Sequence, residues 1–65
     1  MIKLGDTVDD TRYGEVTKMR LCKQPSLKRY TDMIYIVLGF YPGKGWAAIY
    51  NNTLANCRKF IEGNV

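Results

Sequence analysis

The sequence predicts an all-β fold: a small, partly open five-stranded antiparallel barrel with one short helical or 3-10 turn. Three observations lead there. A chain of 65 residues has room for one domain, residues 1–65, and no second core. Several short strand-like segments are divided by Gly, Pro, Asn and Asp, and no long helix is visible. Residues 33–50 also read as a single β-hairpin, with a strand 33–41, a turn Pro42-Gly43-Lys44-Gly45 and a returning strand 46–50.

The elements follow in order. Gly5-Asp6 opens a short strand around Thr7 and Val8, after an apolar pair at Ile2 and Leu4. Residues 9–14 (DDTRYG) are turn-rich, and Gly14 is free to take positive φ. From Glu15 to Lys23 the chain alternates, with Thr17, Met19 and Leu21 in one set and Val16, Lys18, Arg20 and Cys22 in the other. The second set reads as solvent-facing, and a bulge near the strand start would account for Val16 within it. Gln24-Pro25-Ser26 ends the strand, and the polar stretch to Asp32 is a loop carrying Lys28, Arg29 and Tyr30. After the hairpin, Asn51-Asn52-Thr53 offers a cap for a single turn through Leu54 to Cys57. Residues 58–62 (RKFIE) read as a last strand, and Gly63-Asn64-Val65 as a frayed tail.

Alternation along the hairpin puts Ile34, Ile36, Leu38 and Phe40 on one face, and Tyr35, Val37, Gly39 and Tyr41 on the other. The first is the expected core face. A four-residue loop, Pro42 to Gly45, sets Tyr41 opposite Trp46, Gly39 opposite Ala48 and Val37 opposite Tyr50. A two-residue Pro42-Gly43 turn sets Gly39 opposite Trp46 and Tyr35 opposite Tyr50. The longer loop is expected, because L-proline at the first central position cannot adopt the primed turns of two-residue hairpins. Either register sends Ile36, Leu38, Phe40, Ala47 and Ile49 inward and Tyr35, Val37, Tyr41, Trp46 and Tyr50 outward. Gly39 and Ala48 then floor a shallow surface with aromatic walls. Three roles stand open for it: a second core layer under the terminal segments, an oligomer interface, or a ligand site. Stacked bases gain about 1–3 kcal/mol each on such a surface, and Tyr and Trp also dominate protein interfaces.

Ten Lys and Arg against six Asp and Glu give a net charge of +4 and a pI of about 9.3. That balance serves solubility and favours anionic partners: nucleic acid, nucleotides, acidic proteins or lipid headgroups. Lys18 and Arg20 project from one strand face and Lys44 sits at the hairpin tip. They are either a solvated face or, where they converge beside the aromatics, phosphate contacts. The absence of histidine rules out a Ser-His-Asp or Cys-His triad within the chain. There is no phosphate-cradling or dinucleotide-binding glycine motif, and Asp6, Asp9 and Asp10 lack the spacing of a calcium loop. Two cysteines without histidine cannot close a four-ligand zinc site; no metal or cofactor is expected. No apolar signal segment follows the N-terminus, so Cys22 and Cys57 are expected as free thiols in a reducing cytoplasm. No apolar run approaches the ~20 residues of a bilayer span, and no membrane partner is expected.

Gly5-Asp6-x-Val8, Tyr13-Gly14-x-Val16, a loop, a long strand, Pro42-Gly43 and a strand ending Ala48-Ile49-Tyr50 together resemble a Src-homology-3-like barrel. KOW and Tudor domains share the pattern. Within that group the order of landmarks is similar to the plasmid-encoded type II dihydrofolate reductases, which have a Gly-Asp-x-Val opening, a Pro-Gly turn and a Gln-Ile-Tyr strand lining the pore of a tetramer. Ile49 and Tyr50 would match the last two pore residues, while Ala48 stands in place of the glutamine and removes a polar ligand contact. The resemblance therefore implies architecture and not reductase activity.

The expected function is that of a small, basic, non-enzymatic binding module, cytoplasmic and homo-oligomeric. It would take an anionic ligand, nucleic acid first and a sequestered nucleotide second, on a surface of Tyr35, Tyr41, Trp46, Tyr50, Lys18, Arg20 and Lys44. Two alternatives remain open. One is a protein-interaction module such as the small inhibitors of host proteins that bacteriophages encode. The other is an oligomeric enzyme with its site on a symmetry axis.

Overall fold

The computed structural model describes residues 2–25 and 34–65; the predicted loop cations Lys28 and Arg29 lie outside them. Four strands form one antiparallel sheet, in the order β1 (Thr7–Asp9), β2 (Lys18–Lys23), β3 (Tyr35–Tyr41) and β4 (Gly45–Asn52), followed by the helix α1 (Leu54–Glu62). The described strands make an open sheet, and residues 58–62, expected as a fifth strand, are the second half of α1. The reason lies in the spacing around the cap. Thr53 has extended backbone angles and its hydroxyl accepts the Asn56 N–H at 3.3 Å, while the Asn52 side-chain oxygen accepts from Thr53 N and Asn56 Nδ2. From this start Leu54, Cys57 and Ile61 recur at helical intervals, so continuing the helix buries Ile61. The aromatic and β-branched content of Phe60-Ile61 that suggests a strand is outweighed by that packing.

The helix lies across one face of the sheet. Cys57 and Ile61 pack with Met19, Leu21, Val37 and Val16 in a cluster no member of which is more than 2% exposed. Phe60 stacks on Tyr50, with ring centroids 4.3 Å apart and planes 11° from parallel, and tilts against Tyr13 at 5.2 Å. Tyr35, Tyr41, Ile49 and Tyr50 pack against the same cluster. The face of β3 expected to point outward is thus the core face. Of the three roles open for it, the second core layer beneath the terminal segment is the one observed.

Gly39 belongs to that buried face as a matter of space. A Cβ there would lie 3.0 Å from Ile49 Cδ1 and 3.0 Å from Val16 Cγ2. The expected shallow floor at Gly39 is filled by those two side chains. Val16 reaches it from the turn that its own N–H closes on the Tyr13 carbonyl, ahead of β2 and without a bulge in that strand.

The hairpin register explains why the faces are exchanged. Tyr41 pairs with Gly45, Phe40 with Trp46, Gly39 with Ala47 and Leu38 with Ala48, so the loop is three residues, Pro42 to Lys44. Proline at the first central position, Gly43 at φ 83° and a Lys44 N–H to Tyr41 C=O bond of 2.9 Å define a type II turn. Gly45, at φ 99°, then leads into the strand. Relative to either expected register the pairing is offset by one residue, which carries Trp46 to the opposite face. Beyond Leu38 the ladder shifts at a bulge in which Ile49 is the extra residue, and Val37 faces Tyr50. The Val37–Tyr50 pair of the four-residue register is therefore met, while Trp46 parts company with the tyrosines.

Candidate functional site

Directly opposed residues of an antiparallel sheet share a face. The face away from α1 carries two cross-strand rows: Thr7, Arg20, Leu38 and Ala48, and beside it Asp9, Lys18, Phe40 and Trp46. Cys22, Ile36 and Asn51 continue it toward the other end of the sheet. Ile36 is only 8% exposed yet stands outside the core cluster beneath the helix, as its place on this opposite face requires.

The second row is an aromatic pair under a cation. Phe40 and Trp46 have ring centroids 5.2 Å apart at 58°, the tilted arrangement that ring quadrupoles favour. Lys18 Nζ lies 5.7 Å from the Phe40 centroid, and Arg20 Cζ lies 4.4 Å from that of Trp46. These are favourable cation–π placements. Arg20 is held a second time, its Nε donating to Thr7 Oγ1 at 2.8 Å. The outer nitrogens of that guanidinium make no hydrogen bond within the described residues, and no ion pair joins Lys18 to Asp9 across the β1–β2 ladder. Trp46 is 38% exposed. Lys18 and the anchored Arg20 thus stand beside two aromatic rings on a sheet surface that no described element covers around Trp46.

The expected site residues divide cleanly. Trp46, Lys18 and Arg20 come together on this face, and Lys44 is exposed in the turn two residues before Trp46. Tyr35, Tyr41 and Tyr50 belong to the helix side; the Tyr50 hydroxyl accepts from Asn52 Nδ2 at 3.1 Å. Phe40, Leu38 and Thr7 were not foreseen as site residues. The clue to them lay in β2: once Lys18, Arg20 and Cys22 are taken as outward, whatever pairs with them on β3 must share their face.

Cys22 and Cys57 are both free thiols on opposite sides of the sheet, which keeps them apart. Burial raises the Cys57 thiol pKa above its usual value, partly offset by a backbone hydrogen bond at Asn52, and a protonated buried thiol is a poor nucleophile. Among the described residues no three potential metal-ligating side chains cluster, and no helix is long and apolar enough to cross a membrane. Comparison with protein-family models, with characterised proteins and with solved structures yields no match for this chain.

Proposed function

We propose that this protein is a binding module for single-stranded nucleic acid, with the open sheet face as its contact surface. The observation that carries the proposal is the Arg20 guanidinium 4.4 Å over Trp46, beside the Phe40–Lys18 pair. Aromatic rings on a basic surface stack bases without regard to sequence, while Lys and Arg hold the backbone. Arg20 can donate its free outer nitrogens to a phosphate without leaving its stack on Trp46.

Three features favour a single strand. A duplex keeps its base faces stacked internally, and its major groove admits a protruding helix or ribbon, whereas this surface is the plane of a sheet. A mononucleotide would engage only one aromatic–cation pair of the two. Face-to-face stacking of two copies would desolvate two cations, Lys18 and Arg20, for each Asp9 carboxylate on the face, and the uncompensated charge costs energy. The Src-homology-3-like resemblance, with its barrel closure, remains part of this proposal as a fold-level analogy and contributes no residue to the site.

Fluorescence anisotropy of labelled oligonucleotides tests the proposal. A single strand should bind more tightly than the duplex of the same sequence. For two or three phosphate contacts the logarithm of the binding constant should fall with the logarithm of salt at a slope of about −1.5 to −2. Equal or tighter duplex binding, or affinity independent of salt, would refute it.

A further inference from the structure

The two edges of the sheet are built differently. β1 is three residues long, carries Asp9 and runs into Asp10 at φ 58°, devices that discourage a further strand from pairing there. β4 is eight residues long, Gly45–Asn52, with no charged residue and no proline, and Trp46, Ala47 and Ala48 along it are exposed. An uncharged edge strand with three consecutive exposed residues, Trp46 to Ala48, and no further described strand beside it is a template for strand addition.

We infer that β4 pairs antiparallel with β4 of a second copy, about a two-fold axis through Ala47 perpendicular to the sheet. The bulge selects this register. Centring the axis on Ala48 would oppose Trp46 to Tyr50, which lie on different faces because Ile49 is the extra residue. Centring it on Trp46 would pair only Gly45 to Ala47 of the strand with themselves and oppose Ala48 to the turn residue Lys44, whereas centring on Ala47 pairs Gly45 to Ile49. Centring it on Ala47 opposes Trp46 to Ala48 of the second copy, two residues of the same face, and leaves the small Ala47 side chains against each other.

The pairing yields one eight-stranded sheet. Opposed residues of an antiparallel pair share a face, so the two open faces become continuous and the two Trp46 side chains become diagonal neighbours, about 7–8 Å apart. The consequence for ligand binding rests on the proposed function; the pairing itself does not. A strand crossing the axis would meet both aromatic–cation rows, and its binding would tighten the dimer by linkage. On its own, so short a ladder falls well below the ~1,200–2,000 Å² of a standard interface, so the dimer should be weak and concentration-dependent.

Sedimentation equilibrium without nucleic acid tests the inference. The parent protein should rise from its 7.5 kDa monomer mass toward twice that mass as concentration increases. Ala47→Lys puts two ammonium groups opposite each other on the axis, and Ala47→Glu two carboxylates. Each variant alone should dimerise roughly two- to fivefold more weakly, with an unchanged far-ultraviolet circular dichroism spectrum. An equimolar mixture of the two should recover association. A parent that remains monomeric at about 1 mM, variants that associate like the parent, or a mixture that fails to recover would each overturn the inference. A short oligonucleotide that binds Ala47→Lys as it binds the parent monomer would leave the proposed function standing; a dimer that binds no oligonucleotide would overturn that function alone.

Discussion

Gly39→Ala tests the exchange of faces that locates the site. Glycine to alanine in a strand ordinarily gains stability, about 0.5–1 kcal/mol through reduced freedom of the unfolded chain. Here the added Cβ would meet Ile49 Cδ1 at 3.0 Å and the two Val16 methyls at 3.0 and 3.1 Å, against an ordinary carbon contact of about 3.5–4.0 Å. The Ile49 methyl is the far end of a flexible side chain and can swing aside. Val16 cannot: it is β-branched, 2% exposed, and its backbone is tied into the turn by the bond to Tyr13. Overpacking of this kind costs about 1–3 kcal/mol, which exceeds the entropic gain. A net loss of about 1–2 kcal/mol is expected in urea titrations at unchanged m-value. Ala48→Ser, at an exposed position on the open face, serves as a control and should change stability by less than about 0.5 kcal/mol. A Gly39→Ala variant as stable as the parent, or more so, would mean that nothing packs on that face.

Further outcomes follow from the same geometry. Ile61→Ala, at a fully buried helix position, should cost about 2–5 kcal/mol, whereas Leu38→Ala on the half-buried open face should cost less than half as much by the same denaturant assay. Trp46→Ala removes one tilted ring pair and one cation–π contact, so its thermal midpoint should fall only modestly, for about 1–2 kcal/mol, while affinity for a single strand should drop roughly 5- to 100-fold. Lys18→Glu combined with Arg20→Glu should abolish most of the salt-dependent part of that affinity while leaving the folded mass unchanged in sedimentation. The raised pKa of Cys57 predicts alkaline sensitivity. The folded thiol ionises at higher pH than the unfolded one, so its contribution is complete below the reference value of 9.0 and is lost progressively above it. The urea midpoint should therefore fall more steeply as the pH rises above 9.0 in the parent than in Cys57→Ala.

The strands were legible in the sequence where alternation and turn chemistry agree, and the faces were not. Residues 18–23 and 35–41 announce themselves as strands, and Met19 and Leu21 were expected on the opposite side from Lys18, Arg20 and Cys22, as found. The hairpin failed on parity. Both registers considered had loops of even length, and the observed three-residue loop, made by Gly43 and Gly45 at positive φ, moves every residue from Trp46 to Ala48 to the other side. The bulge at Ile49 then restores the expected side for Tyr50. Two opposite one-residue shifts within six residues leave no trace in an apolar-polar pattern. The helix was half legible: the Thr53 cap was recognised, but Phe60-Ile61 has strand-forming side chains and only the burial of Ile61 against Met19, Leu21 and Val37 decides between the two. Of the expected site residues, Lys18, Arg20 and Trp46 lie together on one face. Tyr35, Tyr41 and Tyr50 read as surface in the sequence and pack against the core in the structure, because aromatic content alone does not distinguish a wall of a site from a core under a helix.

The claim that the open face binds a single strand is tested most directly by amide and indole chemical-shift mapping of the ¹⁵N-labelled protein titrated with a short single-stranded oligonucleotide. The largest shifts should fall on Lys18, Arg20, Leu38, Phe40 and the Trp46 indole, with Cys57, Ile61 and the Tyr35 and Val37 amides moving far less. Shifts centred on α1 and the Tyr13–Phe60–Tyr50 stack, or no shifts in low salt at about millimolar oligonucleotide, would contradict the assignment of the open face as the binding surface.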